Sequence, residues 1–343
     1  MKRFRNGLVV GKFSPLHKGH EFIIRRAMEE CEQVFIFSYS NPEFENCEAD
    51  RRELWLKTLF PETEIFVFTS EFLEKRFNFA LPANDADDLT QRRLVGFLWL
   101  HFVNEPLDAV FTSEDYGEGF AAELTRYFAL YADFPEVRHI SVDLRRETFP
   151  VSGTQLRENV HDLKHFLSPE VYASFIRRVC FLGGESSGKS SLAKTIAREF
   201  ETAFVAEYGR TLWEEQSGNL AFEDLLKIAK THIKHEESAA RGSNRFLFVD
   251  TTPLTTLFYS LHLFGKADPE LKWLANRKYD YTFLCASDFP FVQDGTRAGE
   301  ELRNRQHEWY LQQLKQRNVE YILLQGNFAE RIERIKSVLS ETK

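Results

Sequence analysis

The chain has 343 residues, more than one ordinary core needs, and its 43% hydrophobic and 28% charged residues are those of a globular protein with two cores. A formal net charge of −8 gives no general attraction for nucleic-acid phosphates, so anionic ligands must be held in local basic pockets and no nucleic-acid partner is expected. Cys31, Cys47, Cys180 and Cys285 are scattered without metal-ligand spacing, and the first apolar run, Leu8-Val9-Val10, is too short for a signal peptide or membrane span. The expectation is a cytoplasmic protein with reduced thiols and no membrane partner.

The chain opens on an apolar strand at 7–10, which runs into Gly11-Lys12-Phe13-Ser14-Pro15-Leu16-His17-Lys18-Gly19-His20. Phe22, Ile23, Ala27 and Met28 recur at helical spacing, which predicts a helix over 19–31. Both histidines therefore stand where a loop leaves a strand and enters a helix, the edge at which open α/β sheets bind ligands. Strands are predicted at 34–37, 65–68, 109–112 and 140–142, and helices at 49–60, 89–103 and 153–159. This alternation predicts an α/β fold with a parallel sheet covered on both faces.

Residues 160–177 read as a helical connector with Pro169 as a helix start. A second βα series begins at 178. Strands are predicted at 179–182, 203–205, 246–250, 281–285 and 321–324, with helices at 222–240, 253–264 and the C-terminus, and a mobile stretch at 294–305. The expected organisation is a domain over 1–165, a helical linker over 166–177 and a second domain over 178–343.

The strand at 179–182 leads into Gly183, Gly184, Glu185, Ser186, Ser187, Gly188, Lys189, Ser190 and Ser191, which fill every position of the phosphate-binding pattern G-x-x-x-x-G-K-[ST]. Glycines at this spacing let successive N–H groups face phosphate oxygens, and the following helix adds the positive end of its dipole. Lys189 is placed to reach the β- and γ-phosphates of ATP, and the Ser190 hydroxyl to hold Mg²⁺. Asp250 ends an apolar strand and is the expected second Mg²⁺ ligand. Glu207, just after a strand and beside Tyr208 and Arg210, is a candidate for base or for acceptor binding; Asp250 competes for the role of base, and the sequence leaves that choice open. Asp294-Gly295-Thr296-Arg297 reads as a lid that brings Arg297 to the transferring phosphoryl group. Arg303 and Arg305 are divided between that lid and a solvated helix face. No N-K-x-D-like guanine-reading motif is present, which argues against a GTPase.

In the first half, Gly11, Phe13, Pro15, His17, Gly19 and His20 fill G-x-F-x-P-x-H-x-G-H, a pattern that resembles the nucleotidylyltransferase superfamily. The resemblance implies that His17 and His20 contact ATP phosphates and stabilise transition-state charge, with Gly11, Lys12 and Phe13 around the nucleotide. Val151-Ser152-Gly153-Thr154-Gln155-Leu156-Arg157 looks like that superfamily's second motif, in which Ser152 and Thr154 bond phosphate oxygens and Arg157 neutralises the leaving pyrophosphate.

The histidine motif, then the Ser152–Arg157 motif, then the phosphate-binding loop, together with Phe111-Thr112-Ser113-Glu114, Glu207-Tyr208-Gly209-Arg210, Val249-Asp250-Thr251 and Asp294-Gly295-Thr296-Arg297, resembles the NadR family over nearly the whole chain. The resemblance implies a Rossmann-like nucleotidylyltransferase domain followed by a P-loop kinase domain, acting in NAD salvage. The kinase would phosphorylate nicotinamide riboside with ATP, using Mg²⁺, and the first domain would join the resulting nicotinamide mononucleotide to a second ATP, giving NAD and pyrophosphate. Trp99 and Phe291 are the candidates for stacking on nicotinamide. The family's N-terminal helix-turn-helix has no counterpart before the first strand, so operator binding is not expected. A fused phosphopantetheine adenylyltransferase and dephospho-coenzyme A kinase shares the motif order, and a nucleotide sensor with one inactive domain is the reading from another class. Homo-oligomer formation is left open.

Overall fold

The computed structural model describes residues 2–145, 147–288, 290–291 and 299–340. The chain divides into two compact units, Met1–Ser174 and Phe175–Lys343. Among the described residues, no helix is long and apolar enough to cross a membrane.

The first unit holds strands β1 (Phe4–Gly11), β2 (Cys31–Tyr39), β3 (Glu64–Phe68), β4 (Ala109–Thr112) and β5 (Arg138–Ser141). All pair in parallel in the order β3-β2-β1-β4-β5, with Leu8 opposite Phe35 on one side and Val110 on the other. Val34, Phe35, Ile36 and Phe37 are all buried, as a strand covered on both faces requires. Phe35, Phe37, Phe68, Trp99 and Phe128 build an aromatic core on one face of this sheet. The chain reverses its direction across the sheet between β1 and β4, which leaves a crevice at their C-terminal ends.

Two helices in this unit were not among the sequence expectations. Ser70–Phe77 is capped by Thr69, whose hydroxyl accepts from the Phe72 N–H at 3.2 Å, and is ended by Asn78 in a left-handed conformation. Gly117–Tyr131 buries Phe120, Ala121, Leu124 and Phe128 as one stripe. The stretch expected to be a helical linker is broken into a 3₁₀ turn, the short helix Pro169–Tyr172 and a second 3₁₀ turn, and β6 (Arg177–Gly183) already begins at its last residue. Its residues up to Ser174 belong to the first unit. Trp55 Nε1 donates to Ser174 Oγ at 2.9 Å, and Arg51 Nη1 to the Ser174 carbonyl at 2.8 Å.

The second unit adds β7 (Phe204–Val205), β8 (Phe246–Asp250), β9 (Tyr281–Cys285) and β10 (Ile322–Leu324), parallel in the order β10-β9-β6-β8-β7. The central strand is thus β6, from which the phosphate-binding loop leaves. Leu192, Ile196, Phe248 and Ile335 pack in one core of this unit, and Leu225, Ile228, Leu257 and Tyr310 in another. Helix Pro253–Phe264 shows why its ends are sharp: Thr252 caps it, Pro253 opens it without wasting an N–H, and Gly265 at φ +64° closes it. The part of the expected mobile stretch from Glu300 onward is instead the start of helix Glu300–Gln316. All four cysteines are buried free thiols.

Candidate active sites

The first site forms on the loop between β1 and helix Lys18–Glu30. Phe13 takes φ +48° and is buried, so the loop folds over its ring, and a Cβ on Gly11 would lie 3.0 Å from that ring. His17 occupies the N-cap of the helix and His20 its first turn. Their rings stack at 3.7 Å between centroids, and Phe13 meets His20 edge-on at 5.1 Å. Lys12 Nζ donates to the Asn84 carbonyl at 3.0 Å; burial and then the Arg157 guanidinium push its pKa below the ordinary lysine value. Underneath, fully buried Arg52 forks onto Glu43 at 2.7 and 2.8 Å and donates to the Lys12 carbonyl at 3.2 Å, bracing the loop from behind.

The Ser152–Arg157 motif comes to the same place. Ser152 and Gln155 form a reciprocal capping box on helix Gly153–Glu158, so the Ser152 hydroxyl is engaged with that helix. Arg157 donates to Thr154 Oγ1 at 3.0 Å and to the Ser14 carbonyl, and lies 4.0 Å over the Phe44 ring. These contacts aim the guanidinium into a cavity of about 310 Å³ that His17, His20, Lys12 and Thr154 also line. Thr112, Glu114, Tyr116, Asp143 and Phe149 join the wall. The motif Phe111–Glu114 gives Thr112 and Glu114 no role in the sequence; the signal for them is their place at the end of β4, the strand beside β1, and two residues beyond it. The Asp143 carboxylate is held by the Glu147 and Thr148 N–H groups at 2.9 and 3.0 Å.

Trp99 is not at this site. It is fully buried, 4.9 Å from Phe35 between ring centroids, with its indole N–H on the Glu105 carbonyl at 2.7 Å. Expecting it to stack on nicotinamide is corrected: its spacing within helix Asp88–Phe102 serves the core.

In the second unit, Gly183, Ser186 and Gly188 take φ +142°, +58° and +84°, which curls the loop into a concave row of N–H groups. Added side chains would not fit. A Cβ on Gly184 would lie 2.5 Å from the Arg303 carbonyl, and one on Gly183 2.7 Å from that of Cys285. Ser187 Oγ and Lys189 Nζ both donate to the Gly184 carbonyl, at 2.7 and 2.8 Å, and Gln306 Oε1 accepts from the Glu185 N–H at 3.1 Å. Helix Lys189–Glu199 then starts with its N-terminus toward the loop.

Asp250 ends β8 and is buried. The Ser190 hydroxyl favours its ionised form, while its Oδ1 has no hydrogen-bond partner among the described residues. A serine hydroxyl beside a buried carboxylate with an orphaned oxygen fits a divalent cation that also takes water and phosphate oxygens. Glu207 stands at the N-cap position of helix Tyr208–Glu215, and its side chain makes no capping bond. Removal from water, then the Asp250 charge, push its carboxyl up to about 7, against the pull of Lys189 and Arg210. Burial raises Asp250 too, opposed by Lys189, Ser190 and Arg210.

Glu185, Ser186, Ser187, Gly188, Lys189, Ser190, Ser191, Glu207 and Arg210 line one cavity of about 580 Å³. Tyr208 does not line it and packs edge-on against His235 at 5.4 Å. Arg303 is buried beneath the loop, donating to the Ser287 carbonyl, and so is not on a solvated face; Arg305 is, paired with Glu301 at 3.0 Å. Phe291 is half-buried and does not line the cavity. Arg297, with Asp294, Gly295 and Thr296, lies outside the described residues. The aromatic wall comes instead from Trp213 and from Tyr259, whose hydroxyl donates to Glu185 Oε1 at 2.9 Å. Tyr259 sits on an expected helix whose pattern signals only an apolar face, and Trp213 on helix Tyr208–Glu215, which was not among the sequence expectations.

Residues 8–159 match the cytidylyltransferase-like family and residues 178–331 the AAA domain family. The chain is 26% identical to the trifunctional NAD biosynthesis/regulator protein NadR of Escherichia coli (strain K12), over 98% of this chain and 84% of that protein. It is 27% identical to the protein of the same name from Salmonella typhimurium, over 98% and 83%. Solved structures of NadR in complex with NR, and with NAD and AMP-PNP, share the fold at TM-scores of 0.70 each. Their identities are 21% and 19%, and they cover 98% and 100% of this chain and 96% and 98% of their own. Fold and sites together define a two-domain nucleotide-dependent transferase, a Rossmann-like nucleotidylyltransferase unit followed by a P-loop unit. With both domains matched in order and the similarity running from end to end, the chain belongs to the NadR family.

Proposed function

We propose that this protein is a bifunctional enzyme of NAD salvage: its second unit phosphorylates nicotinamide riboside, and its first joins nicotinamide mononucleotide to ATP. The observation that carries this reading is the pair of unlike candidate phosphate sites in one chain, one with two histidines, a lysine and an arginine at its wall, the other with a glycine-rich loop beside the buried Asp250 and the half-buried Glu207.

In the second unit, the loop N–H groups and Lys189 hold the β- and γ-phosphates of ATP. Ser190 and Asp250 hold Mg²⁺, which supplies charge neutralisation at the phosphates. Glu207 is the better base, because Asp250 is committed to the cation, whereas the Glu207 carboxyl sits near the working pH. It takes the proton from the 5′-hydroxyl as that oxygen bonds to the γ-phosphorus and the bond to the β-phosphate oxygen breaks, releasing ADP. Trp213 and Tyr259 supply the flat walls for the nicotinamide ring.

In the first unit, the mononucleotide's own phosphate is the nucleophile. It bonds to the α-phosphorus of ATP while the α–β bridge breaks and pyrophosphate leaves. His17 and His20 face the charge that develops, and Lys12 and Arg157 neutralise the departing group.

The test is chromatographic analysis of the purified protein incubated with Mg²⁺, ATP and nicotinamide riboside. Mononucleotide that forms and is then consumed with NAD and pyrophosphate appearing is the expected course. Mononucleotide that accumulates would leave the first unit with another substrate or a sensing role. Formation of neither product, with turnover of phosphopantetheine and dephospho-coenzyme A, would replace the reading.

A further inference from the structure

The last helix, Phe328–Ser340, carries an arginine with no exposed surface at all, Arg331. Its guanidinium reaches three separate loops. Nη1 donates to the Ser187 carbonyl in the phosphate-binding loop at 2.9 Å, Nη2 to the Ala286 carbonyl just after β9 at 3.3 Å, and Nε to the Gly326 carbonyl just after β10 at 3.1 Å. Nη2 also bonds Asp288, whose other oxygen accepts from the Gly326 N–H at 2.7 Å. Asp288 offsets the buried positive charge, so the group supplies geometry more than field.

We infer that Arg331 is a positioning residue of the P-loop site, holding the Ser187–Gly188 peptide so that the Gly188 N–H faces the bound phosphate. The peptide is planar and trans, so its carbonyl and N–H point in opposite directions. Fixing the Ser187 oxygen on Arg331 therefore turns the Gly188 N–H the other way, toward the inside of the loop. The rest of the loop is steadied differently: Ser187 Oγ and Lys189 close onto the Gly184 carbonyl, and Gln306 takes the Glu185 N–H. The guanidinium is the charged group that reaches the Ser187 carbonyl from outside the loop, and it ties that peptide to the ends of β9 and β10. A lysine keeps the charge but cannot span several acceptors with fixed directions.

The inference rests on the P-loop unit being a nucleotide site, and its test is separable from the riboside assignment. Mg–ADP affinity is measured by calorimetry on wild type and Arg331→Lys, alongside the KM for ATP of riboside phosphorylation and the rate of adenylyl transfer to preformed mononucleotide. The expected result for Arg331→Lys is Mg–ADP binding about tenfold weaker, the worth of one charge-assisted hydrogen bond, and a similar rise in the KM for ATP. Adenylyl transfer stays unchanged and reports that the chain is folded. In Arg331→Ala, methylguanidinium should restore part of the lost affinity. A folded Arg331→Lys with wild-type Mg–ADP affinity would overturn the inference and leave Arg331 a purely structural residue. Should Arg331→Lys fail to fold, Asp288→Asn, at a half-exposed position, decides: it must weaken Mg–ADP binding in the same direction by a smaller factor, and unchanged affinity again overturns the inference. Wild-type protein that binds Mg–ADP but does not phosphorylate riboside would sink the substrate assignment while leaving this test intact.

Discussion

In the proposed reading, side chains are what meets the phosphates in the first unit: His17, His20 and Lys12 on the loop after β1, and Arg157 from a helix far along the sequence, all lining one cavity. In the second, backbone N–H groups would meet them, in a loop curled by Gly183, Ser186 and Gly188, with Lys189 and Arg210 as the cationic side chains at the cavity wall. The carboxylates differ as well. Asp143, at the wall of the first cavity, is tied to loop amides, whereas Glu207 in the second sits with its pKa lifted to about 7 beside Asp250. The contrast follows from the nucleophile. A phosphate arrives already ionised and needs only positioning and charge neutralisation, but a ribose hydroxyl must lose a proton, which calls for a base poised near neutral pH.

Glu207→Gln is the sharpest way to break this contrast. It should lower kcat for riboside phosphorylation by ~10²–10⁴-fold and leave adenylyl transfer untouched, each followed by product chromatography. A smaller loss, with Asp250→Asn abolishing activity without loss of Mg²⁺ binding, would move the base to Asp250. His20→Ala is the reciprocal test: adenylyl transfer should fall by ~10²–10³-fold, the cost of removing one donor to developing charge, with the kinase unchanged.

The raised Glu207 carboxyl gives the next effect. The kinase kcat/KM should fall about tenfold per unit as pH drops below about 7, because the base is then protonated. The sign for stability is opposite. Between the ordinary glutamate value and about 7, the folded state holds a proton that the unfolded chain has released, so this group's contribution to stability falls as pH rises through that window. Glu207→Gln should therefore raise the thermal midpoint of the second unit at pH 8 while it removes activity. A midpoint equal to or below that of the wild type would show that the ionised carboxylate is not strained.

Smaller effects separate walls from cores. Trp99→Ala should cost ~3–5 kcal/mol of first-unit stability by denaturant titration, as expected for emptying a buried indole site. Trp213→Ala should instead raise the KM for riboside, with ΔΔG of unfolding much smaller. The smallest effect belongs to Arg305→Ala, which removes an exposed pair with Glu301 and should change stability by less than about 1 kcal/mol and the kinase rate not at all.

The phosphate-binding loop, the histidine loop and the strand ends carrying Glu207 and Asp250 were legible in the sequence, because each is built from contiguous residues whose φ angles and helix N-termini are local properties. Helix Phe222–Ala240 and strand Tyr281–Cys285 were legible to the residue, since apolar period and flanking breakers coincide there. What the sequence by itself determined was thus the order of two α/β units and the chemistry at the mouth of each central strand. Only the tertiary structure decided which side chains close those sites. Trp99 and Trp213 look alike in a sequence, each on an amphipathic helix, and which indole faces a sheet and which a cavity depends on the neighbouring element. Arg331 and Arg52 read as ordinary surface charges until packing places acceptors around them from loops far away in the chain, because burial of a guanidinium is a property of the whole fold rather than of its neighbours in sequence.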